Sequence, residues 1–335
     1  MTQTDRRVRF SVPGRRALLG AGLGLGAVSA WPLRAQEVYP SRPVRVSVPT
    51  VAGGALDNVA RMLCERLSSR LGQQFIVENR PGASGIIGAD AVAKAAPDGH
   101  TLLFAAAPIA LNTALGMKLP YDPYKDFVPI SLVASIPALF AVHPATPYRT
   151  LADVVEDSRR RPGGLSYAVS NAGAITHLIG ESWKARTGAN LTMIAYKGAG
   201  QAIQDAVAGT VPVILDAYIP TGVQVAAGKL RAIGVASTQR QPVLPDVATV
   251  VEQGHPELVG SGFYGLLAPA RTSPEIIAKL NGAVVEAVDR TDMRERLVRQ
   301  GYEVHASTPQ GYADFIRNEI ERWTPVVKAA GIKPE

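Results

Sequence analysis

The chain of 335 residues is poor in cysteine, histidine and charged residues. It contains one cysteine, Cys64, and five histidines. A single cysteine excludes an intramolecular disulfide and every metal or iron–sulfur site that needs several cysteines. Charged residues make up 19% of the chain and hydrophobic residues 47%, so the sequence can form a packed core and is not globally disordered. The length is typical of two domains.

The net charge of +7 lies mainly in the first 35 residues. That segment carries six arginines and one acidic residue, whereas the rest of the chain has a formal charge of only +2. A near-neutral body lacks the basic surface that is typical of nucleic-acid-binding proteins. The sequence therefore predicts no nucleic-acid partner.

Residues 1–35 have the pattern of an export signal. Arginines precede an uncharged run from Ala17 to Ala30, which is shorter than the roughly 20 apolar residues of a membrane-spanning helix. The pair Arg15-Arg16 resembles a twin-arginine signal, with general secretion as the alternative route. We expect cleavage after Ala35, or else after Ala30, and a periplasmic mature protein. An uncleaved membrane anchor is the competing interpretation.

Short β-rich runs alternate with helical patterns in the rest of the chain, which predicts an α/β fold with an open, mainly parallel sheet. The predicted strands are Val44–Val48, Phe75–Val77, Thr101–Ala105, Ser166–Val169, Met193–Ala195, Val213–Leu215 and Ala232–Ala236. The predicted helices are Asp57–Leu71, Ile87–Ala95, Thr150–Arg161, Ile175–Arg186, Ala202–Val207, Thr221–Ala227, Pro274–Val288, Met293–Gln300 and Pro309–Ala330.

Two long apolar runs, Val128–Val142 and Gly262–Ala268, interrupt this alternation, and a Pro- and Tyr-rich loop at Pro120–Pro129 comes before the first of them. Two α/β halves joined by such runs indicate a hinged pair of lobes. Ligands of open α/β sheets bind beyond the carboxyl ends of the strands, and a cleft between two lobes is a natural ligand site.

Three loops between a strand and a helix are candidate anion sites, because free backbone N–H groups lie at such helix starts. The first follows Pro49 and is rich in glycine, with Asp57 expected to cap the next helix. A plain tight connection is the alternative there. The second loop contains Asn171, Ala172, Gly173 and Ala174, and the third contains Lys197, Gly198 and Ala199.

Two further groups of polar residues have an open interpretation. Asp216 follows an apolar strand and would either accept a hydrogen bond from a ligand or hold a neighbouring helix start. His177 and Glu181 share a helix face, but one such pair is a weak metal signal and a structural histidine is favoured. Signatures of hydrolases, metalloproteases and nucleotide-binding loops are absent, so we predict a non-enzyme without metal or cofactor.

Long segments of the sequence are similar to a known family. They include VENRPGASGIIGAD at Val77–Asp90, LPYDPYKDFVPISLV at Leu119–Val133 and AAGKLRAIGV at Ala226–Val235. With these motifs the chain resembles the periplasmic solute-binding proteins of tripartite tricarboxylate transporters, the Bordetella uptake gene family. The similarity extends over essentially all of the chain after the signal.

The resemblance implies a two-lobed periplasmic-binding-protein fold, of the Venus-flytrap type and type II-like, with two hinge-crossing strands. We expect lobe I at 36–138 and 256–335 and lobe II at 139–255. The implied function is capture of a small organic acid for uptake by a membrane permease with one large and one small subunit.

The resemblance also implies which residues contact the acid. They are Thr50, Val51, Ala52, Gly53, Gly54, Asn171, Ala172, Gly173, Ala174, Ile175, Thr176, Lys197, Gly198, Ala199 and Asp216. The family often has an aromatic residue where this chain has Thr50, and a serine where it has Ala199. The loss of hydroxyls and the presence of Ile175 favour a larger or less polar acid, with an aromatic acid as one form.

Two other functions compete with uptake. The liganded protein could instead bind the outer domain of a sensor kinase, because relatives of this kind often lack a permease. A secreted hydrolase or lyase that acts on small acids is the third hypothesis.

Overall fold

The computed structural model describes residues 38–289 and 291–333, together with Thr2. The predicted export signal and its cleavage site fall outside these residues, apart from Thr2. Every helix and strand below belongs to one unit that begins at Tyr39. Within the described ranges, none of the helices is both long enough and apolar enough to cross a bilayer.

The strands that the structure describes form a ten-stranded sheet. They are β1 (Val44–Val48), β2 (Phe75–Asn79), β3 (Thr101–Ala106), β4 (Phe127–Val142), β5 (Leu165–Val169), β6 (Leu191–Ala195), β7 (Val213–Ala217), β8 (Arg231–Val235), β9 (Ser261–Pro269) and β10 (Glu303–Val304).

Helices connect most of these strands. They are α1 (Ala55–Leu71), α2 (Ile86–Ala93), α3 (Pro108–Ala114), α4 (Leu151–Arg160), α5 (Ile175–Thr187), α6 (Ala199–Val207), α7 (Tyr218–Ala226), α8 (Pro274–Asp289), α9 (Thr291–Arg299) and α10 (Pro309–Ala330). Short 3₁₀ turns occur at Ala83–Gly85 and Pro256–Leu258.

The long strand β4 joins the two halves of the sheet. Up to Pro137 it pairs antiparallel with β9, whereas from Ala138 onwards it pairs with β7 and β8. On the first side the order continues through β9 and β3 to β1 and β2, and on the other side through β7 and β5 to β6. The apolar run predicted at Val128–Val142 is therefore one strand that belongs to both halves.

The predicted mainly parallel arrangement is found within each half, whereas the strands that join the halves are antiparallel. Strand β1 lies parallel between β2 and β3, and β5 lies parallel between β6 and β7. Strands β4 and β9 run antiparallel to each other and to their outer neighbours. Hydrophobic pattern alone does not distinguish the direction of a buried strand.

Helix α1 shows how the helices pack on the sheet. Leu56, Ala60, Leu63 and Leu67 recur every three or four residues and are all buried, which places one apolar face against the core. Cys64 lies in the same face, and its burial raises the pKa of the thiol to about 12. The thiol therefore packs as a small apolar group.

Several element boundaries differ from the predicted ones. Helix α1 begins at Ala55 with Gly54 as its N-cap, so Asp57 is not the capping residue. Strand β4 begins inside the predicted loop at 120–129, because Phe127 pairs with Pro269. Helix α3 and strand β10 were not predicted, since both are too short to show a hydrophobic period.

Candidate functional site

The loop after β1 is held in place by a buried carboxylate. Oδ2 of Asp57 accepts hydrogen bonds from the Gly53 N–H at 2.8 Å and from Nε of Arg61 at 2.9 Å. Oδ1 accepts a bond of 2.8 Å from Nδ2 of Asn79, which also donates to the Thr50 carbonyl at 3.2 Å. The loop is thereby tied both to α1 and to β2.

The charge of Asp57 lies in the first turn of α1. Burial acts to raise the pKa of this carboxyl, but the hydrogen bonds from Arg61, Gly53 and Asn79 outweigh it and hold the pKa below its usual value. The ionised carboxylate stabilises the positive end of the helix from within the protein. The Gly53 N–H is therefore already satisfied before any ligand binds.

The loop after β5 is fixed by side chains from α5 and β7. The Gly173 N–H donates to Nδ1 of His177 at 2.9 Å, and Oγ of Ser170 donates to Oδ1 of Asp216 at 3.0 Å. The Gly198 N–H donates to the Ser170 carbonyl at 2.8 Å, which joins this loop to the one after β6. The two loops thus form one polar unit.

Asp216 is buried below the two loops and does not face an open cavity. The side chain is buried, and Oδ1 also accepts a bond of 2.7 Å from the N–H of Ala217, where α7 begins. Oδ2 has no hydrogen-bond partner among the residues that the structure describes. Burial raises the pKa of this carboxyl, because the bonds from Ala217 and Ser170 offset the lost hydration only in part.

His177 has a structural role in the loop. Besides its bond to Gly173, its Nε2 lies 3.9 Å from Oε1 of Glu181, which also accepts from Nζ of Lys184 at 2.9 Å. Across the described ranges, no group of three or more His, Cys, Asp or Glu side chains is arranged to hold a metal ion.

Two adjoining cavities lie at the carboxyl ends of the parallel strands. Cavity one, of about 480 Å³, is bounded by the loops after β1 and β2, the end of β3 and the first turns of α1 and α3. Cavity two, of about 620 Å³, is bounded by α3 on one side and by the loops after β5 and β6 on the other. Ser84 and Pro108 line both cavities.

The structure brings about half of the predicted residues to these cavities. Thr50 and Val51 line cavity one, and cavity two is lined by Asn171, Ala172, Gly173, Ala174, Ile175 and Lys197. The other predicted residues line neither cavity: Ala52, Gly53, Gly54, Thr176, Gly198, Ala199 and Asp216.

Sequence reasoning missed the loop after β2, which lies between both cavities. Gly82, Ser84 and Gly85 belong to the segment ENRPGASG, which indicates the family but was not predicted to line the site. Because β2 lies next to β1, the same strand-end rule would have placed this loop at the site. The sequence pattern does not indicate that Pro108 or Lys333 lies at the site. Pro108 belongs to a helix that was not predicted, and Lys333 is positioned by the fold at the end of the chain.

No acidic side chain of the described residues lines either cavity. Among the residues that the structure describes, the charged side chains that line them are Lys197 and Lys333, both in cavity two. Lys197 is exposed, and it forms no ion pair with any residue that the structure describes. The charged residues described at these cavities are therefore both found at cavity two.

A sheet in two halves, with cavities of this size at its strand ends, is the architecture of a two-lobed periplasmic binding protein. The model of the family described as "Tripartite tricarboxylate transporter family receptor" matches residues 59–332. The chain belongs to this family. The predicted family and fold class are thereby confirmed.

Individual relatives agree with this assignment. Protein BugT of Bordetella pertussis is 36% identical over 319 residues, which cover 95% of this chain and 97% of the relative. An R. palustris protein described with adipate has a TM-score of 0.77 and 34% identity, with coverage of 89% and 100%. MatC from Rhodopseudomonas palustris, described with bound malate, has a TM-score of 0.72 and 34% identity, with coverage of 86% and 100%.

Proposed function

We propose that the protein captures a small organic acid between two lobes and delivers it to a tripartite tricarboxylate-type permease. The observation that carries the proposal is the charge of the two cavities. Lys197 and Lys333 provide positive charge, and no acidic side chain of the described residues lines either cavity. The adipate and malate described with the two R. palustris relatives support a carboxylate as the ligand.

The two lobes correspond to the two halves of the sheet. We assign 36–138 and 256–335 to lobe I and 139–255 to lobe II, since β4 changes its pairing partners between Pro137 and Ala138. Cavity two has walls from both segments, because α3 and the loops after β5 and β6 line it. Closure around the acid then selects the state that the permease recognises.

The residues proposed to contact the acid are those that the cavities bring together: Thr50, Val51, the stretch from Asn171 to Ile175, and Lys197. Gly53 and Asp216 act indirectly, through the hydrogen bonds that hold the loops. No covalent chemistry is part of this function, and the family and fold are those of solute-binding proteins.

Export completes the proposal. Membership in a family of transporter receptors fits a periplasmic location, with the signal at 1–35 removed after Ala35. The permease consists of one large and one small subunit in this proposal, and a sensor kinase is the alternative partner. Sequencing the amino terminus of the exported protein tests the cleavage site, and the neighbouring genes distinguish the two partners.

Thermal unfolding with a panel of mono-, di-, tricarboxylic and aromatic acids tests the binding function. An acid at about 100 times its Kd adds about 2.7 kcal/mol to the free energy of unfolding, which raises Tm by several degrees. We expect such a rise for one class of acid, with the acid recovered unchanged. Sugars of similar size are the control, and a rise with sugars alone, or turnover of an acid, contradicts the proposal.

A further inference from the structure

The loop after β2 turns through four consecutive residues with positive φ. Gly82, Ala83, Ser84 and Gly85 have φ values of 124°, 46°, 51° and 85°. Glycine adopts such angles freely, whereas a residue with a Cβ atom is destabilised by them. Among the residues that the structure describes, Arg271 is the only other non-glycine residue with a positive φ. The turn therefore stores backbone strain of the kind that is concentrated at functional sites.

Contacts on both sides of the turn keep it in this conformation. Nδ2 of Asn112, a buried side chain of α3, donates to the Ser84 carbonyl at 3.2 Å. In α2, which follows the turn, a Cβ atom at Gly88 would lie 3.0 Å from Cβ of Pro49 and 3.1 Å from the Arg80 carbonyl oxygen. Because α2 packs so closely on the residues that follow β1 and β2, the turn between β2 and α2 has little room to relax.

The turn places Ser84 at the junction of the two cavities. Ser84 lines both of them, whereas Ala83, which has the same backbone strain, lines neither. The Ser84 side chain is exposed, and its hydroxyl forms no hydrogen bond within the described ranges. Pro108, which also lines both cavities, has an apolar side chain. Ser84 therefore offers an unbonded polar group where the cavities meet.

A contact with the ligand explains both the strain and the unbonded hydroxyl of Ser84. For folding alone, glycine would suit this position better, because it adopts a left-handed backbone without strain. A serine hydroxyl can donate to a carboxylate or carbonyl oxygen, and it can accept from a hydroxyl group of the ligand. An acid that extends from one cavity into the other passes this hydroxyl.

Building on the proposed function, we infer that Ser84 is a ligand-binding residue, whose hydroxyl forms a hydrogen bond with the captured acid where the two cavities meet. The left-handed turn positions this hydroxyl, and Asn112 holds the turn through the Ser84 carbonyl. The segment ENRPGASG thereby contributes a contact to the site as well as the connection between β2 and α2.

Titration calorimetry of the purified protein with malate, adipate, citrate and benzoate tests this inference. A hydrogen bond to a charged group is worth about tenfold or more in affinity, so Ser84→Ala and Ser84→Gly should each weaken acid binding about tenfold. Ser69→Ala is the matched control. It removes an exposed hydroxyl that lines neither cavity and has no hydrogen-bond partner in the described part of the chain, and it should bind with wild-type affinity.

Thermal unfolding without ligand separates a role in binding from a role in folding. Ser84→Gly and Ala83→Gly each relieve strain, so both should leave Tm unchanged or raise it by about 1–2 °C. Ala83→Gly retains the Ser84 hydroxyl and should keep the wild-type affinity. Loss of affinity without loss of stability is therefore expected for Ser84→Gly alone of these two variants.

The outcomes separate this inference from the function on which it rests. Wild-type affinity in both Ser84 variants overturns the inference and leaves acid capture intact. A lowered Tm of Ser84→Gly also contradicts it, because the serine would then serve folding, and so does an equal loss of affinity in Ala83→Gly, which would assign the effect to the backbone. If the wild-type protein binds none of the four acids, nor any acid of the wider panel, the proposed function fails and the inference fails with it.

Discussion

The backbone N–H of Gly53 donates a hydrogen bond of 2.8 Å to the carboxylate of Asp57. The protein thus fills, with its own side chain, the donor that a glycine-rich loop at a helix start usually offers to an anion. Arg61 and Asn79 bind the same carboxylate and fix the loop. Two lysines, Lys197 and Lys333, line cavity two.

The first prediction concerns the stability that Asp57 provides. Its pKa is lower in the folded protein than in the unfolded chain, so its contribution is present above about pH 4 and is lost as the pH falls through the folded pKa. Asp57→Asn should lower the free energy of unfolding at pH 7 by about 1–3 kcal/mol. The difference from wild type should shrink towards pH 3 in urea denaturation. The exposed Asp246→Asn is the control, and an equal loss at both pH values would contradict the prediction.

Asp216 should show the opposite pH dependence. Burial raises its folded pKa, so the stability associated with the protonated form is present below about pH 4 and is lost as the pH rises through the folded pKa. Asp216→Asn should therefore gain stability relative to wild type between pH 4 and pH 7. Asp216→Ala should cost about 1–3 kcal/mol, because it leaves Ser170 and the Ala217 N–H without their acceptor. A pH-independent difference between Asn and Asp would contradict the assignment.

Lys197 should determine affinity and leave folding unchanged. A charge-assisted hydrogen bond contributes about 1.5–3 kcal/mol, so Lys197→Met should weaken acid binding about tenfold or more. Its Tm without ligand should stay close to that of wild type, because the side chain is exposed. Lys229→Met removes an equally exposed lysine that lines neither cavity, and should bind normally. Equal affinities of the two variants would remove Lys197 from the site.

The packing of α10 on the sheet gives a prediction about two glycines of one strand. A methyl group at Gly265 would overlap the ring of Tyr312 on α10, whereas at Gly262 it would meet no atom within 4 Å. Gly265→Ala should therefore cost about 1–3 kcal/mol of unfolding free energy, and Gly262→Ala should cost much less. Urea denaturation of the two variants measures the difference. Similar losses would show that α10 moves to accommodate the methyl group.

Most of the fold follows from local pattern in this sequence. A β-rich run forms strand β1, and a glycine-rich loop and Gly72 lie at the two ends of helix α1. All three features can be recognised in the sequence. The antiparallel direction of β9 is not visible, because a buried strand reads as a continuous apolar run in either direction. Its position between β3 and β4 depends on contacts between residues far apart in sequence.

The predicted loops and the cavities coincide where a single loop lines a cavity, and differ where separate segments meet. The loops that contain Thr50, Asn171 and Lys197 each follow a predicted strand, and all three line the cavities. Asp57 was expected to cap α1. It lies instead in the first turn of the helix, where its carboxylate accepts a hydrogen bond from the Gly53 N–H. Lys333 reaches cavity two only because α10 brings the end of the chain there.

Titration calorimetry of the purified protein with organic acids measures directly whether the protein captures an acid. Any acid that copurifies is first removed by partial denaturation and dialysis. We expect saturable binding of one acid per chain, weakened by Lys197→Met, with the acid recovered unchanged. Absence of binding across mono-, di-, tricarboxylic and aromatic acids, or consumption of the acid during the titration, would contradict it.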